Sequence, residues 1–188
     1  MKRENEMVID ADGHILEPPD LWQKYIEPKY RDRALRIRVG DDGWEYLEVD
    51  GRRAKYTGRG NLGRISCMGG KMQETNRLRQ EWVANGRRGP APFVAVTADE
   101  TYMKGAGFGT MDPKERLARM DQEGLDKSVL YPTLGITWEI ETDDAELSTA
   151  YCRAYNRWIV EFCAGSGGRL VPIAHVSLGD PQAAAREL

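Results

Sequence analysis

Apolar positions along this chain follow two rhythms. Met7-Val8-Ile9 opens a run that ends at His14 and reads as a buried strand. Pro18-Pro19-Asp20 then opens a short helix, because proline is favoured in a first helical turn. Leu21, Trp22, Tyr25 and Ile26 form its stripe. Period two returns in Leu35–Val39 and in Trp44–Val49, separated by the turn Gly40-Asp41-Asp42-Gly43. Asp50-Gly51 turns the chain again before Arg52–Tyr56, which predicts a β-meander. From about 57 to 110 the pattern is broken by Gly58, Gly60, Gly63, Gly69, Gly70, Gly86 and Gly89, with Pro90 and Pro92. A short helix near Gln73–Ala84 is expected there, with loop around it.

Regular periodicity resumes at Asp112. That residue reads as an N-cap, Pro113 as the first helical position, Leu117 and Met120 as the apolar face, and Gly124 as the stop. Lys127–Tyr131 reads as a strand ended by Pro132. Asp143–Ala164 is the strongest helix, with Leu147, Ala150, Tyr151, Ala154, Trp158, Ile159 and Phe162 on one face and Gly165 after it. Leu170–Val176 is a third strand, and Asp180-Pro181 opens a final helix.

Alternating strands and helices imply an α/β fold, with parallel strands joined by crossover helices. In such folds ligands bind at the C-terminal ends of the strands. Here those ends carry Asp12-Gly13-His14, Pro132-Thr133 and His175-Val176-Ser177. Three βα units make a poor sheet alone, and a (β/α)₈ barrel takes roughly 250 residues. The expectation is therefore a partial barrel: residues 1–188 as the N-terminal part of a single domain, cut short, with an insertion over about 35–110. A small open sheet, complete in itself, is the alternative.

Composition narrows the function. The 188 residues carry 27 basic and 30 acidic side chains, a net charge of -3. That leaves no electrostatic footprint for nucleic acid. Residues 1–7 (MKRENEM) lack the apolar core of a signal peptide, and no apolar run approaches the roughly 20 residues of a membrane span. Three cysteines, Cys67, Cys152 and Cys163, lack metal-type spacing, and the last two share a helix. They read as reduced, packed thiols of a cytoplasmic protein.

The chemistry concentrates in Asp10-Ala11-Asp12-Gly13-His14, which holds one of the two histidines of the chain. Strand alternation projects Asp10, Asp12 and His14 to one face. Interior carboxylates are costly unless paired or bound to a cation. A carboxylate and an imidazole one pleat apart can chelate a divalent ion such as zinc, manganese or iron. An EF-hand is excluded: with Gly13 sixth in the loop, Val8 and Pro19 would occupy positions that must be acidic. Residues 58–70 (GRGNLGRISCMGG) lack the Lys-Ser/Thr of a phosphate-binding loop and read as flexible. Glu17 reads equally as a solvated loop charge or as a residue at a pocket rim.

The stretch VIDADGHILEPPDLW resembles the start of the amidohydrolase-related family that includes aminocarboxymuconate-semialdehyde decarboxylase and the resorcylate decarboxylases. Two more stretches resemble that family in the same order. One is Arg116-Leu117-x-x-Met120-Asp121 followed by Tyr131-Pro132-Thr133. The other is Ala154-Tyr155-Asn156 before Arg169-Leu170-x-Pro172. The resemblance implies a metal-dependent (β/α)₈ enzyme, a decarboxylase or hydrolase of a small aromatic or unsaturated carboxylate. Asp12 and His14 match its first two metal ligands, and Asp10 matches a supporting acid beside them. Zinc is the implied metal, with manganese as the alternative. The remaining family ligands and the general base have no counterpart before residue 188, which implies an inactive fragment of an active parent. His175 and Thr133 are expected to line the substrate pocket. From the residues alone, His175 reads first as a core histidine with a satisfied hydrogen bond and second as a pocket-lining group. The expected partners are a small-molecule substrate and, as an option, a second copy of the chain. A non-catalytic αβ module that binds or self-associates through an open sheet edge is the competing class.

Overall fold

The computed structural model describes residues 6–92 and 96–188, without the side chains of 68–70 and 72–73. The chain forms two compact units. One comprises Met1–Ile37, Leu47–Tyr56 and Phe108–Leu188; the other comprises Arg38–Tyr46 and Thr57–Gly107.

The first unit is built on a three-stranded parallel sheet: β1 (Ile9–His14), β5 (Lys127–Tyr131) and β6 (Leu170–Pro172), in the order β1-β5-β6. The β5 boundaries match the sequence expectation, whereas β6 is shorter than Leu170–Val176. Burial alternates along β5: Ser128 and Leu130 are buried, and Lys127, Val129 and Tyr131 are half-buried. Parallel strands need crossover connections, usually helices. α4 (Pro113–Glu123) begins where Asp112 accepts hydrogen bonds from the Lys114 and Glu115 amides. It ends at Gly124 in the left-handed region. α5 (Ala145–Cys163) is capped by Asp144 and buries the full stripe predicted from the sequence. α6 (Pro181–Glu187) starts on the Asp180 side chain.

α1 (Leu21–Tyr25) packs on α5. Tyr25 Oη donates to Glu161 at 2.6 Å, and Glu27 receives Arg153 at 2.6 Å and Arg157 at 3.0 Å. A 3₁₀ helix at Pro28–Arg33 follows, which the apolar pattern did not signal. Its Arg33 guanidinium joins Asp50 and Asp144; it holds the Asp50 carboxyl below its ordinary range, and the Leu147 amide together with Arg33 does the same for Asp144. Cys152 and Cys163 lie buried on α5, and burial pushes their thiols up to about 12 and about 11.

The predicted meander is present as a three-stranded sheet in the order β2 (Arg36–Val39), β3 (Glu45–Val49), β4 (Arg52–Arg53). β3 and β4 pair antiparallel, Val49 against Arg52.

The second unit corrects the loop expectation for 57–110. α2 (Asn61–Ala84) runs for 24 residues, starting twelve residues before the helix expected at Gln73. α3 (Tyr102–Gly105) packs against it. The described buried positions of α2 are Leu62, Gly63, Ser66 and Thr75. A face of small and polar residues leaves no apolar stripe to detect. The glycines serve close packing here. A methyl group at Gly63 would collide with the Glu100 carbonyl, and one at Gly105 with the Ser66 hydroxyl. Gly58-to-Gly70 is therefore mainly helix rather than flexible loop. No helix among the described residues is long and apolar enough to cross a membrane.

Candidate metal site at the strand ends

The register between β1 and β5 decides which side chains meet. Asp10 pairs with Ser128, but Gly13, not Asp12, pairs with Leu130. β1 thus holds one residue more than its partner between these pairs, which is a β-bulge. Paired residues share a face, so Asp10 and Gly13 lie on the side of Ser128 and Leu130. His14 lies with Tyr131 on the other side, their rings 6.2 Å apart. The simple alternation that put Asp10, Asp12 and His14 on one face is broken between Asp10 and Gly13. Asp10 accepts from the Ser128 hydroxyl at 3.0 Å and from the Asp12 amide at 3.2 Å. It thereby fastens the backbone of Asp12. Gly13 is buried at the bulge, where a Cβ would stand 2.7 Å from Asp10 Oδ2 and 2.9 Å from the Val129 carbonyl.

Asp12 and His14 are exposed. His14 Nδ1 lies 3.1 Å from the Pro132 carbonyl and 3.2 Å from Thr133 Oγ1. A carbonyl only accepts, so Nδ1 is the donor here, and in the neutral imidazole Nε2 then carries the lone pair. This is the arrangement that leaves an imidazole ready to ligate a metal. The His14 carbonyl receives the Arg116 guanidinium of α4, fixing the backbone at that point. The chain is then tied down residue by residue. Ile15 N donates to the Tyr131 carbonyl at 3.1 Å, and Leu16 N donates to the Thr110 carbonyl at 3.0 Å.

Glu17 is neither a solvated charge nor a rim residue: it is fully buried. Its carboxyl accepts the amides of Thr133 at 3.1 Å, Leu134 at 2.9 Å and Gly135 at 2.8 Å. Burial pushes it up to about 7, against the pull of those amides. The structure thus brings Thr133 beside both His14 and Glu17.

His175 lies in a second cluster after β6, beside the turn that Glu17 grips. Its Nε2 stands 3.3 Å from Glu139 Oε1, and its backbone is held by Asn156 through bonds of 2.8 Å and 2.9 Å. The ring lies 5.3 Å from that of Trp138 and 6.1 Å from that of Tyr155, and burial lowers its pKa. Nδ1 is buried and finds no hydrogen-bond partner among the described residues. Glu139, Cys152 and His175 present three donor atoms within 4.8 Å of one another. Sequence reasoning selected His175 but not this grouping, since Glu139 and Cys152 lie 36 and 23 residues away in the chain. A cleft of 360 Å³ shares Glu139 with this cluster and is lined also by Thr142, Ser148 and Ser177.

This geometry places acidic and imidazole donors at the carboxyl ends of parallel strands, as α/β enzymes place their sites. Comparison with solved structures gives the fold its class. The chain is similar to an amidohydrolase of Mycobacterium avium subsp. paratuberculosis K-10, with a TM-score of 0.67 and 21% sequence identity. The match covers 98% of this chain and 46% of that one, so the chain spans just under half the length of this relative. No family model matches the chain, and no curated protein matches it.

Proposed function

We propose that the chain supplies the N-terminal βα units of a metal-dependent (β/α)₈ enzyme of amidohydrolase type, with Asp12 and His14 as two of the metal's ligands. The observation that carries this reading is the His14 ring. Its Nδ1 is engaged by a backbone carbonyl, and Nε2 of this exposed residue has no hydrogen-bond partner among the described residues. The donor set of one carboxylate and one imidazole fits zinc, with manganese as the alternative.

Such a metal, when bound, supplies Lewis-acid polarisation of a substrate oxygen or lowers the pKa of a bound water. The residues of this chain bind and orient. Asp12 and His14 donate to the ion, Asp10 holds the Asp12 amide, and Arg116 holds the His14 carbonyl. Thr133 accepts from His14 Nδ1. His175 is read as lining the substrate side, next to the 360 Å³ cleft that shares Glu139. The reaction class is decarboxylation or hydrolysis of a small aromatic or unsaturated carboxylate, with the general base and further ligands supplied by chain outside residues 1–188.

Zinc and manganese titration of the purified chain beside Asp12→Ala/His14→Ala tests the ligand assignment. The expected result is metal binding that the double variant abolishes. Binding that is unchanged in a folded double variant overturns it.

A further inference from the structure

We propose that Glu17 is a positioning residue for His14, acting through the peptide bond between Pro132 and Thr133. The Thr133 N–H donates to Glu17 Oε1 at 3.1 Å, and the carbonyl of the same peptide unit accepts from His14 Nδ1 at 3.1 Å. The peptide is trans, so its N–H and C=O point in opposite directions, with Glu17 at one end and His14 at the other. A carboxylate drawing on the N–H polarises the carbonyl, and hydrogen bonds in such a chain strengthen one another. The relay favours the His14 tautomer with the proton on Nδ1, and it fixes the ring direction.

The surroundings hold the relay rigid. Glu17 grips two further amides of the turn, Leu134 at 2.9 Å and Gly135 at 2.8 Å. Gly135 must be small. A Cβ there would stand 2.7 Å from Pro132 Cβ, 3.1 Å from Glu17 Oε1 and 3.4 Å from His175 Nδ1. Glu17 acts on the ligand through the turn, whose Thr133, Leu134 and Gly135 amides its carboxyl accepts.

The significance of the relay rests on His14 being a metal ligand, but its existence is read without metal. With two histidines in the chain, ¹⁵N-labelled imidazole spectra at pH 8 resolve the tautomer of each ring. The wild-type chain is expected to show His14 with its proton on Nδ1. Glu17→Gln shifts His14 several-fold toward the Nε2–H form favoured by free imidazole, and it lowers zinc affinity by about 10–100-fold, the usual cost of losing a ligand-orienting partner. Thr133→Val removes the hydroxyl but keeps the peptide relay, so His14 stays in the Nδ1–H form. An unchanged His14 tautomer in a folded Glu17→Gln chain overturns the proposal. Loss of the Nδ1–H form in Thr133→Val also overturns it, and that arm reads out even where the Gln variant fails to fold. Failure of zinc binding with the tautomer shift intact overturns the ligand reading and leaves the relay standing.

Discussion

Glu17→Gln removes a buried titrating group, and its effect on stability depends on pH with a definite sign. The carboxyl is raised from its ordinary 4.5 to about 7, chiefly by burial. Between those values the folded chain holds a proton that the unfolded chain has released. Stability from this group is therefore complete below pH 4.5 and is lost as pH rises through about 7. At ~1.4 kcal/mol per pH unit, the loss is about 3 kcal/mol. Glutamine resembles the neutral acid and does not titrate, so its stability lacks this slope. It also turns an amide donor toward one of the three turn N–H groups, a constant penalty of about 1–3 kcal/mol. His175 works in the opposite sense. Its lowered pKa contributes stability above its unfolded value that is lost as pH falls. That contribution is present in both chains. Urea unfolding at pH 5 to 8.5, followed by tryptophan fluorescence, measures the difference. The stability of wild type relative to Glu17→Gln should fall by about 3 kcal/mol across the window. A difference that stays flat refutes the burial argument.

Two other perturbations follow from local geometry. Gly13→Ala puts a methyl group against Asp10 Oδ2, the Val129 carbonyl and the Ser128 hydroxyl at the bulge. Overpacking of this kind costs about 1–3 kcal/mol and should appear as a lower urea midpoint. Asp112→Ala removes the acceptor for the Lys114 and Glu115 amides at the start of α4. It should lower stability by about 1 kcal/mol in the same assay.

Local chemistry made much of this fold readable from the sequence. Asp112-Pro113 and Gly124 bracket α4, and the stripe from Leu147 to Phe162 defines α5, because caps and apolar periodicity are written within a few turns of chain. α2 was hidden because its buried face is Leu62, Gly63, Ser66 and Thr75, and its glycine serves contact with a segment some 40 residues away. The bulge in β1 was hidden too. Alternation fixes faces within one strand, whereas register is set by pairing with β5. The strand-end site was partly legible. His14 and Thr133 were both selected, and the structure joins them by a hydrogen bond. Glu17 could not be placed, since nothing in Leu16-Glu17-Pro18 reveals that three amides from residues 133–135 enclose it. The grouping of Glu139 and Cys152 with His175 is likewise tertiary.

In the proposed function His14, rather than the Glu139–Cys152–His175 cluster, offers the metal its imidazole. Zinc titration followed at the two imidazoles by ¹⁵N spectroscopy tests it most directly. The expected result is that His14 Nε2 shifts with added zinc while the His175 nitrogens stay in place. Movement of His175 with His14 unaffected would contradict it and assign the metal to the cluster beside α5.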